Sequence, residues 1–251
     1  MDCAKWTGSI VVAACLLAGA APAMAQTAAA AAPRLAASLE ACETSPLAEQ
    51  RVASFVGSMP AIAGATRMAM RFDLQRRRAG EELWHRVRGA EGLGVWETSK
   101  PGRAGFVFHK RVAGLGPSAS YRAIVRFRWR SDDGRLVRSE RRRTRACSQP
   151  DLRPDLVVGS LRAVLDARPA LAVYTLTVRN DGRSAAGAFA VRVAGAVAEV
   201  PSLGAGDRVD LLVVAAACLA GSTVETSVDV DRRIEESQER NALRRDCPLG
   251  V

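Results

Sequence analysis

The most regular pattern in the chain is an alternation of apolar and polar residues with a period of two. It is cleanest in YRAIVRFRWR, residues 121–130, where one face carries Tyr121, Ala123, Val125, Phe127 and Trp129. The other face carries Arg122, Ile124, Arg126, Arg128 and Arg130. Such a pattern is typical of an antiparallel strand with one buried face. The following SDDGR predicts a hairpin turn, after which LVRSERRRTRAC returns as the next strand.

Similar strand signals recur in both halves of the chain, with no helical period between them. Examples are TRMAMRFDL at residues 66–74, LAVYTLTVRN at 171–180 and TVETSVDVD at 223–231. A length of 251 residues allows two ordinary domains. We therefore predict an all-β protein made of two tandem immunoglobulin-like β-sandwiches, at residues 42–149 and 150–251.

The N-terminal residues are interpreted as an export signal. A lysine precedes a short apolar run and small residues, and Ala23-Met24-Ala25 fits an A-x-A cleavage site. We expect residues 1–25 to be removed and the protein to be secreted, periplasmic or extracellular. A lipoprotein signal acylated on Cys15 is the alternative. Residues 26–41 are predicted to be an Ala/Pro-rich linker, and no transmembrane span is predicted.

Positive charge is concentrated in the first half. The chain has a net charge of +10, with 23 basic and 11 acidic residues in 34–150 but 12 basic and 14 acidic in 151–251. The two strands described first are predicted to expose one basic surface, formed by Arg122, Arg126, Arg128, Arg130, Arg138, Arg141 and Arg143. Such a surface could hold acidic polysaccharide, lipopolysaccharide phosphate or extracellular DNA.

The alternative is a solvated face, rich in arginine through GC-rich coding and partly neutralised by Asp132, Asp133 and Glu140. Phe127 and Trp129 are expected on the buried side, which argues against sequence-specific nucleic-acid recognition.

An acidic stretch, VDVDRRIEESQERN at residues 228–241, is the second candidate site. Its carboxylates are Asp229, Asp231, Glu235, Glu236 and Glu239. Calcium prefers several such oxygens held close together. The stretch lacks the spacing of a helical calcium loop, and its own arginines can neutralise it. The alternative is a structural turn whose side chains bind backbone N–H groups.

The cysteines and histidines indicate structure more than catalysis. Beyond the signal, four cysteines remain, Cys42, Cys147, Cys218 and Cys247. An even number in an exported chain implies disulfides with three possible connectivities, and a zinc site would need C-x-x-C pairs that are absent. His85 and His109 lie in strand-like segments, and no G-x-S-x-G, H-E-x-x-H or glycine-rich phosphate motif occurs. We predict no catalytic residue and no cofactor apart from possible calcium.

Two resemblances extend this interpretation. LGPSASY, residues 115–121, resembles the L-x-P-x-x-x-Y segment of fibronectin type III-like domains, which implies that the Tyr121 hydroxyl closes a corner. PDLVV, LTVRNDG, PSLGAGD and the acidic stretch occur in one order over residues 154–241, and this resembles the bacterial cell-adhesion-related domain CARDB. That resemblance implies a seven-stranded sandwich and a structural last loop. The family's double asparagine is only partly kept, since Asn241 is followed by Ala242.

The division into two domains selects the pairs Cys42–Cys147 and Cys218–Cys247 among the three connectivities. We expect an exported, non-enzymatic binding, adhesion or scaffold module at the bacterial cell envelope. Its partner would be an anionic surface polymer or an envelope protein. The alternatives are a protein-docking module or accessory subunit of an envelope complex, and a cryptic hydrolase with a cleft near His85 or His109.

Overall fold

Antiparallel strands account for the regular structure of a computed structural model, which describes residues 33–89, 92–168 and 170–247. The strands of the first half are β1 (Ala36–Glu43), β2 (Val52–Pro60), β3 (Arg67–Arg78), β4 (His85–Arg86), β5 (Trp96–Thr98), β6 (Gly105–Val112), β7 (Ala119–Arg130), β8 (Leu136–Arg143) and β9 (Cys147–Gln149). Those of the second half are β10 (Leu156–Leu165), β11 (Leu171–Asn180), β12 (Phe189–Val193), β13 (Ala196–Val200), β14 (Arg208–Ala216), β15 (Thr223–Val228) and β16 (Ala242–Asp246).

The helical content of the described residues is a single 3₁₀ turn, Ala48–Gln50. None of the helices in that part of the chain is long and apolar enough to cross a membrane. The predicted signal peptide, residues 1–25, and the alternative lipoprotein cysteine, Cys15, lie outside the described residues.

The first sandwich is formed by a sheet with the order β1-β2-β6 and a larger sheet with the order β4-β3-β7-β8. In the larger sheet β5 also pairs with β3, and β9 with β7. The inward residues of β7 are buried as the alternation predicted, with Phe127 and Trp129 at most 1% exposed. The Trp129 indole N–H donates to the Pro60 carbonyl at 2.7 Å, so its polar atom is satisfied within the core.

The second sandwich packs a sheet with the order β10-β11-β14 against one with the order β13-β12-β15-β16. These seven strands of the described chain agree with the architecture that the CARDB resemblance implies. Tyr174, Leu176 and Phe189 are fully buried between the sheets. The Tyr174 hydroxyl donates to the Ala216 carbonyl at 2.8 Å. The predicted all-β, immunoglobulin-like fold is therefore confirmed.

Each sandwich contains the disulfide that was predicted for it. Cys42 in β1 is bonded to Cys147 in β9, and Cys218 is bonded to Cys247. The bridges link residues separated by 105 and 29 positions. In the chain-entropy model such loops correspond to about 4.7 and about 3.6 kcal/mol of stabilisation. The two bridges use all four of these cysteines, which removes the zinc alternative.

One predicted boundary needs correction. β1 begins at Ala36, so residues 36–41, predicted as the end of the linker, belong to the first sandwich. Leu35, Ala37 and Leu39 pack against its core, with intervening residues exposed. Alanine hid this alternation, because a small side chain at an inward position looks like low-complexity sequence.

Candidate anion-binding face

The strand pairing brings most of the predicted basic surface together. Residues directly opposite each other in an antiparallel pair point to the same side. Arg126 of β7 lies opposite Arg71 of β3 and Arg141 of β8, and Ile124 lies opposite Asp73 and Arg143. We call the outward side of β3, β4, β7 and β8 the arginine face. Its arginines are Arg67, Arg71, Arg77, Arg86, Arg122, Arg126, Arg128, Arg130, Arg141 and Arg143.

Arg138, predicted as part of this surface, lies on the other side of the sheet. It pairs with Trp129, its guanidinium carbon is 5.6 Å from the centre of the Trp129 ring, and it binds Glu140 at 2.7 Å. The error arises from register. LVRSERRRTR carries arginines at both odd and even positions, so the sequence alone does not show which of them face outward.

A single buried carboxylate lies at the centre of the arginine face. Asp73 is 6% exposed, and on the described strands of this face it is the one acidic residue that points outward. Its Oδ1 accepts hydrogen bonds from Arg71, at 3.0 and 3.1 Å, and from Arg86, at 2.8 Å. Its Oδ2 accepts one from the Arg126 Nε at 2.9 Å. One acid therefore fixes three guanidinium groups and leaves the face strongly positive.

A depression of about 490 Å³ adjoins this cluster, with Asp73, Gln75 and Ile124 among its lining residues. Arg122 borders it and donates its Nε–H to the Gln75 Oε1 at 2.9 Å. Burial, together with the positive charges of Arg143 and Arg77, lowers the pKa of Arg122. Burial and nearby positive charges both disfavour the charged form of an arginine, so the direction of the shift agrees with the close placement of Arg122 and Arg143.

Two tryptophans that the sequence analysis did not place also belong to the face. The Arg122 guanidinium lies 4.0 Å from the centre of the Trp84 ring, and the Arg128 guanidinium 4.1 Å from that of Trp96. Both contacts are in the range of cation–π interactions, which restrain the arginine side chains. Trp84 precedes the two-residue β4, and Trp96 opens the three-residue β5. Strands this short show no alternation that could have revealed them.

The predicted tyrosine corner is present. The Tyr121 hydroxyl donates to the Gly116 carbonyl at 3.2 Å, and the residue is 4% exposed. The two histidines lie on the surface, where His109 contacts Glu40 at 3.1 Å and His85 contacts Glu81 at 3.9 Å.

The acidic stretch forms the connection between β15 and β16, and we call residues 229–241 the acidic loop. Asp229 is 2% exposed and has a left-handed backbone, with φ of 49°. Its two carboxylate oxygens accept the backbone N–H groups of Arg233 and Ile234 at 2.9 and 3.0 Å. It therefore holds the turn from within.

Glu236 is the second buried acid of the loop, also 2% exposed. It accepts the backbone N–H of Leu156 and the side-chain N–H of Asn241, each at 2.6 Å. Burial, with smaller contributions from the nearby Glu239 and Asp229 charges, raises the pKa of Glu236 to about 7. This acid anchors the loop to the first strand of its own sandwich.

The remaining acids of the loop point elsewhere. Asp231 binds Arg233 at 2.7 Å, and Glu235 binds Arg51 at 3.1 Å and Arg153 at 3.4 Å. Arg51 belongs to the first sandwich and is itself buried, so Glu235 ties the two sandwiches together.

The structure thus does not assemble the predicted calcium ligands Asp229, Asp231, Glu235, Glu236 and Glu239 around one point. The described residues contain no group of three or more His, Cys, Asp or Glu that could hold a metal ion. The hydrogen bonds are those of a structural turn.

These features define an all-β protein built of two immunoglobulin-like sandwiches, the first with an arginine-rich outer sheet. Residues 153–245 match the CARDB family model, which confirms the resemblance of the second half. A comparison with curated proteins finds no match.

Three solved structures resemble the chain at TM-scores under 0.5. A CARDB domain from Pyrococcus furiosus, solved in complex with di-metal ions, is 24% identical, with 39% of this chain and 90% of that one covered and a TM-score of 0.31. The class 5 fimbriae chaperone CfaA is 11% identical over 84% of this chain and 98% of its own, with a TM-score of 0.25. A chain of the CsuC–CsuE chaperone–tip adhesion subunit complex of Acinetobacter baumannii is 11% identical over 79% and 92%, with a TM-score of 0.26.

Proposed function

We propose that this protein is a non-enzymatic binding module of the bacterial cell envelope that holds an anionic polymer on its arginine face. The observation that carries the proposal is the charge imbalance of that face. Among the described residues its strands present ten outward arginines against one outward acid, Asp73. Export is supported by the two disulfides, which persist in oxidising compartments.

The arrangement suits an extended ligand. Neighbouring strands lie about 4.8 Å apart, and alternate residues of one strand about 6.6 Å apart, so the guanidinium groups form a two-dimensional array. Guanidinium groups bind carboxylate, sulfate and phosphate through paired hydrogen bonds. Asp73, Trp84 and Trp96 hold several arginines in place before any ligand arrives, which reduces the entropy lost on binding.

The test is binding of residues 26–251 to immobilised dextran sulfate at increasing NaCl concentration. We expect affinity to fall steeply with salt, because arginines that neutralise a polyanion release its counterions. Replacing Arg126, Arg128 and Arg130 by serine should weaken binding about tenfold or more and flatten the salt dependence. A matched variant replaces Arg162, Arg208 and Arg245, which are exposed on the second sandwich, and should change affinity less than about threefold. Binding that is insensitive to salt, or lost equally in both variants, would reject the arginine face as the site.

A protein-docking role is the second candidate, and it rests on a different surface. The outer side of the β10-β11-β14 sheet exposes Val164, Leu212 and Val214 at 63%, 74% and 43%. β10 and β14 are the two ends of this sheet in the described chain, so each could accept a further strand. Capture of an envelope protein that survives high salt and is lost on Leu212→Ser would favour this function over polymer binding.

A further inference from the structure

The depression on the arginine face has a definite origin in the strand register. Ile124 is the only outward residue of β7 between Arg122 and Arg126, and its side chain is shorter than theirs. Asp73 stands opposite it on β3 and Arg143 on β8. Ile124 thus has the arginines Arg122, Arg126 and Arg143 on three sides and the Asp73 carboxylate on the fourth, and it forms the floor of a cup whose rim is mostly arginine. The position of the cup therefore follows from the residue order of β7 and from its pairing register with β3 and β8.

The rim arginines keep hydrogen-bond donors available. Arg122 and Arg126 each use the Nε–H toward the protein, to Gln75 and Asp73, which leaves their terminal Nη groups. The side chains of Arg141 and Arg143 make no hydrogen bond or ion pair with any other described residue. Six arginines from β4, β7 and β8 line this small volume. Arg86 and Arg142 already bind Asp73 and Glu140, and the four rim arginines named above keep most of their donors unpaired.

The same crowding shows in the electrostatics. The Arg122 pKa is lowered first by burial and then by the charges of Arg143, on the rim, and of Arg77, so the rim arginines Arg122 and Arg143 repel each other. A bound anion would relieve that repulsion, and the benefit grows with the charge of the anion and the number of its oxygens.

We propose that this cup is a discrete site for one tetrahedral oxyanion, a phosphate or sulfate group; the inference rests on the proposed function, in which that group is carried by the bound polymer. A carboxylate offers two oxygens, which one guanidinium can satisfy, whereas phosphate or sulfate can engage several rim arginines at once. Trp84 contacts the Arg122 guanidinium, which assigns it a bracing role. The ligand would therefore be a phosphorylated or sulfated polymer in preference to one bearing carboxylates alone.

The experiment measures the melting temperature of residues 26–251 in sodium phosphate, sodium sulfate or sodium acetate, with NaCl holding ionic strength constant. We expect phosphate or sulfate at about ten times its Kd to raise the melting temperature by about 3–6 °C. Acetate should have no such effect. At equal concentrations of the two anions, the one that binds more tightly gives the larger shift, and we expect the polymer to carry that group. Equal shifts in all three salts would overturn the site.

Two double variants separate a discrete site from general charge. Arg122→Gln with Arg143→Gln removes two rim groups, whereas Arg67→Gln with Arg130→Gln removes the same charge from the same face, away from the cup. We expect the anion-dependent shift to disappear in the first variant and persist in the second. Circular dichroism of each variant without anion establishes that both are folded.

Dextran sulfate binding by the same proteins distinguishes the failure of this inference from that of the proposed function. If both double variants lose polymer affinity equally and no anion shifts the wild type, the face binds diffusely and the discrete site is wrong. If phosphate or sulfate protects the wild type but neither dextran sulfate nor polyphosphate binds, the site stands and the polymer-binding function is wrong.

Discussion

The arginine face and the acidic loop are two regions rich in charged residues, and they differ in whether those residues find partners within the folded chain. In the loop, Asp229 and Glu236 accept backbone N–H groups and Glu235 pairs with Arg51. On the face, Arg141 and Arg143 have no acidic partner among the described residues. A cluster of charged residues in a sequence is therefore a weak sign of a binding site. The stronger criterion is whether the folded chain already supplies hydrogen-bond or ion-pair partners for the charged side chains.

Burial explains this difference. A carboxylate removed from water must find hydrogen-bond donors or become neutral, so the buried acids of the loop are necessarily engaged. Arginines on the outside of a sheet remain partly hydrated, and the surrounding water stabilises their charge even where no acid is nearby. The first arrangement stabilises a turn, and the second leaves donors for a ligand.

The largest effect is expected from removing the one acid that braces the arginine face. Asp73→Ala leaves Arg71, Arg86 and Arg126 without their common partner, and we expect a loss of about 3 kcal/mol in the free energy of unfolding. The estimate is at the low end for buried ion pairs, because two of the arginine side chains are half exposed. Urea denaturation provides the measurement. Asp181→Ala, which breaks the exposed pair with Arg179, is the control and should cost less than about 0.5 kcal/mol.

The second prediction separates two acids of the loop that are two residues apart. Asp229→Ala removes the acceptor of two backbone N–H groups in a buried turn and should cost about 2 kcal/mol. Asp231→Ala breaks a surface pair with Arg233 and should change stability by less than about 0.5 kcal/mol. Thermal or urea unfolding of both variants compares them directly. Equal costs would contradict the structural role assigned to Asp229.

The contrast between face and loop was only partly predictable from the sequence. Alternation in β7 identified both faces of that strand, because Ile124 is the one apolar residue that interrupts the arginines of its outward face between Arg122 and Arg130. It did not orient β8, where Arg138 and Arg141 point to opposite sides of the sheet. The role of Asp73 depends on β4, a two-residue strand that carries Arg86 and leaves no pattern. The alternation within one strand can be recognised in the sequence. The contacts of a residue with distant segments of the chain become visible only in the folded structure.

The loop shows the same limit. The five carboxylates were visible as a cluster, but the burial of Glu236 follows from its bond to Leu156, 80 residues earlier in the chain. The pairing of Glu235 with Arg51 spans 184 residues. The CARDB resemblance implied a structural loop, yet no local feature distinguished Asp229, which is buried, from Asp231, which is exposed.

The third prediction uses pH to probe the buried acid of the loop. The Glu236 pKa is raised from 4.5 to about 7, so between these values the folded state holds a proton that the unfolded state has released. Stability is therefore greatest below about pH 4.5 for this group and falls as the pH rises toward 7. A full shift would correspond to about 3 kcal/mol, and we expect the measured loss of stability to be about 1–2 kcal/mol.

Glu236→Gln should flatten that slope, as measured by urea denaturation at pH 4.5, 6 and 7.5. The Asp155 pKa is also raised, mainly by burial, so a residual slope of the same sign is expected in the variant. Glu239→Gln removes an exposed charge from the same loop and should leave most of the wild-type slope in place. A slope of the opposite sign in the wild type would contradict the assignment.

The smallest expected effect is that of calcium on the melting temperature. It tests directly whether the acidic loop can bind a ligand, as is proposed for the arginine face. We expect the melting temperature of residues 26–251 to change by less than about 1 °C between millimolar calcium and excess chelator. A cation at about ten times its Kd would add about 1.4 kcal/mol, or several degrees. No such gain is expected, because calcium would have to displace the backbone N–H groups held by Asp229 and Glu236. A clear shift, abolished by Asp229→Asn with Asp231→Asn, would show that the loop can exchange internal partners for a ligand. In that case, hydrogen bonds between an acid and the protein's own backbone would not be enough to tell a structural turn from a binding site.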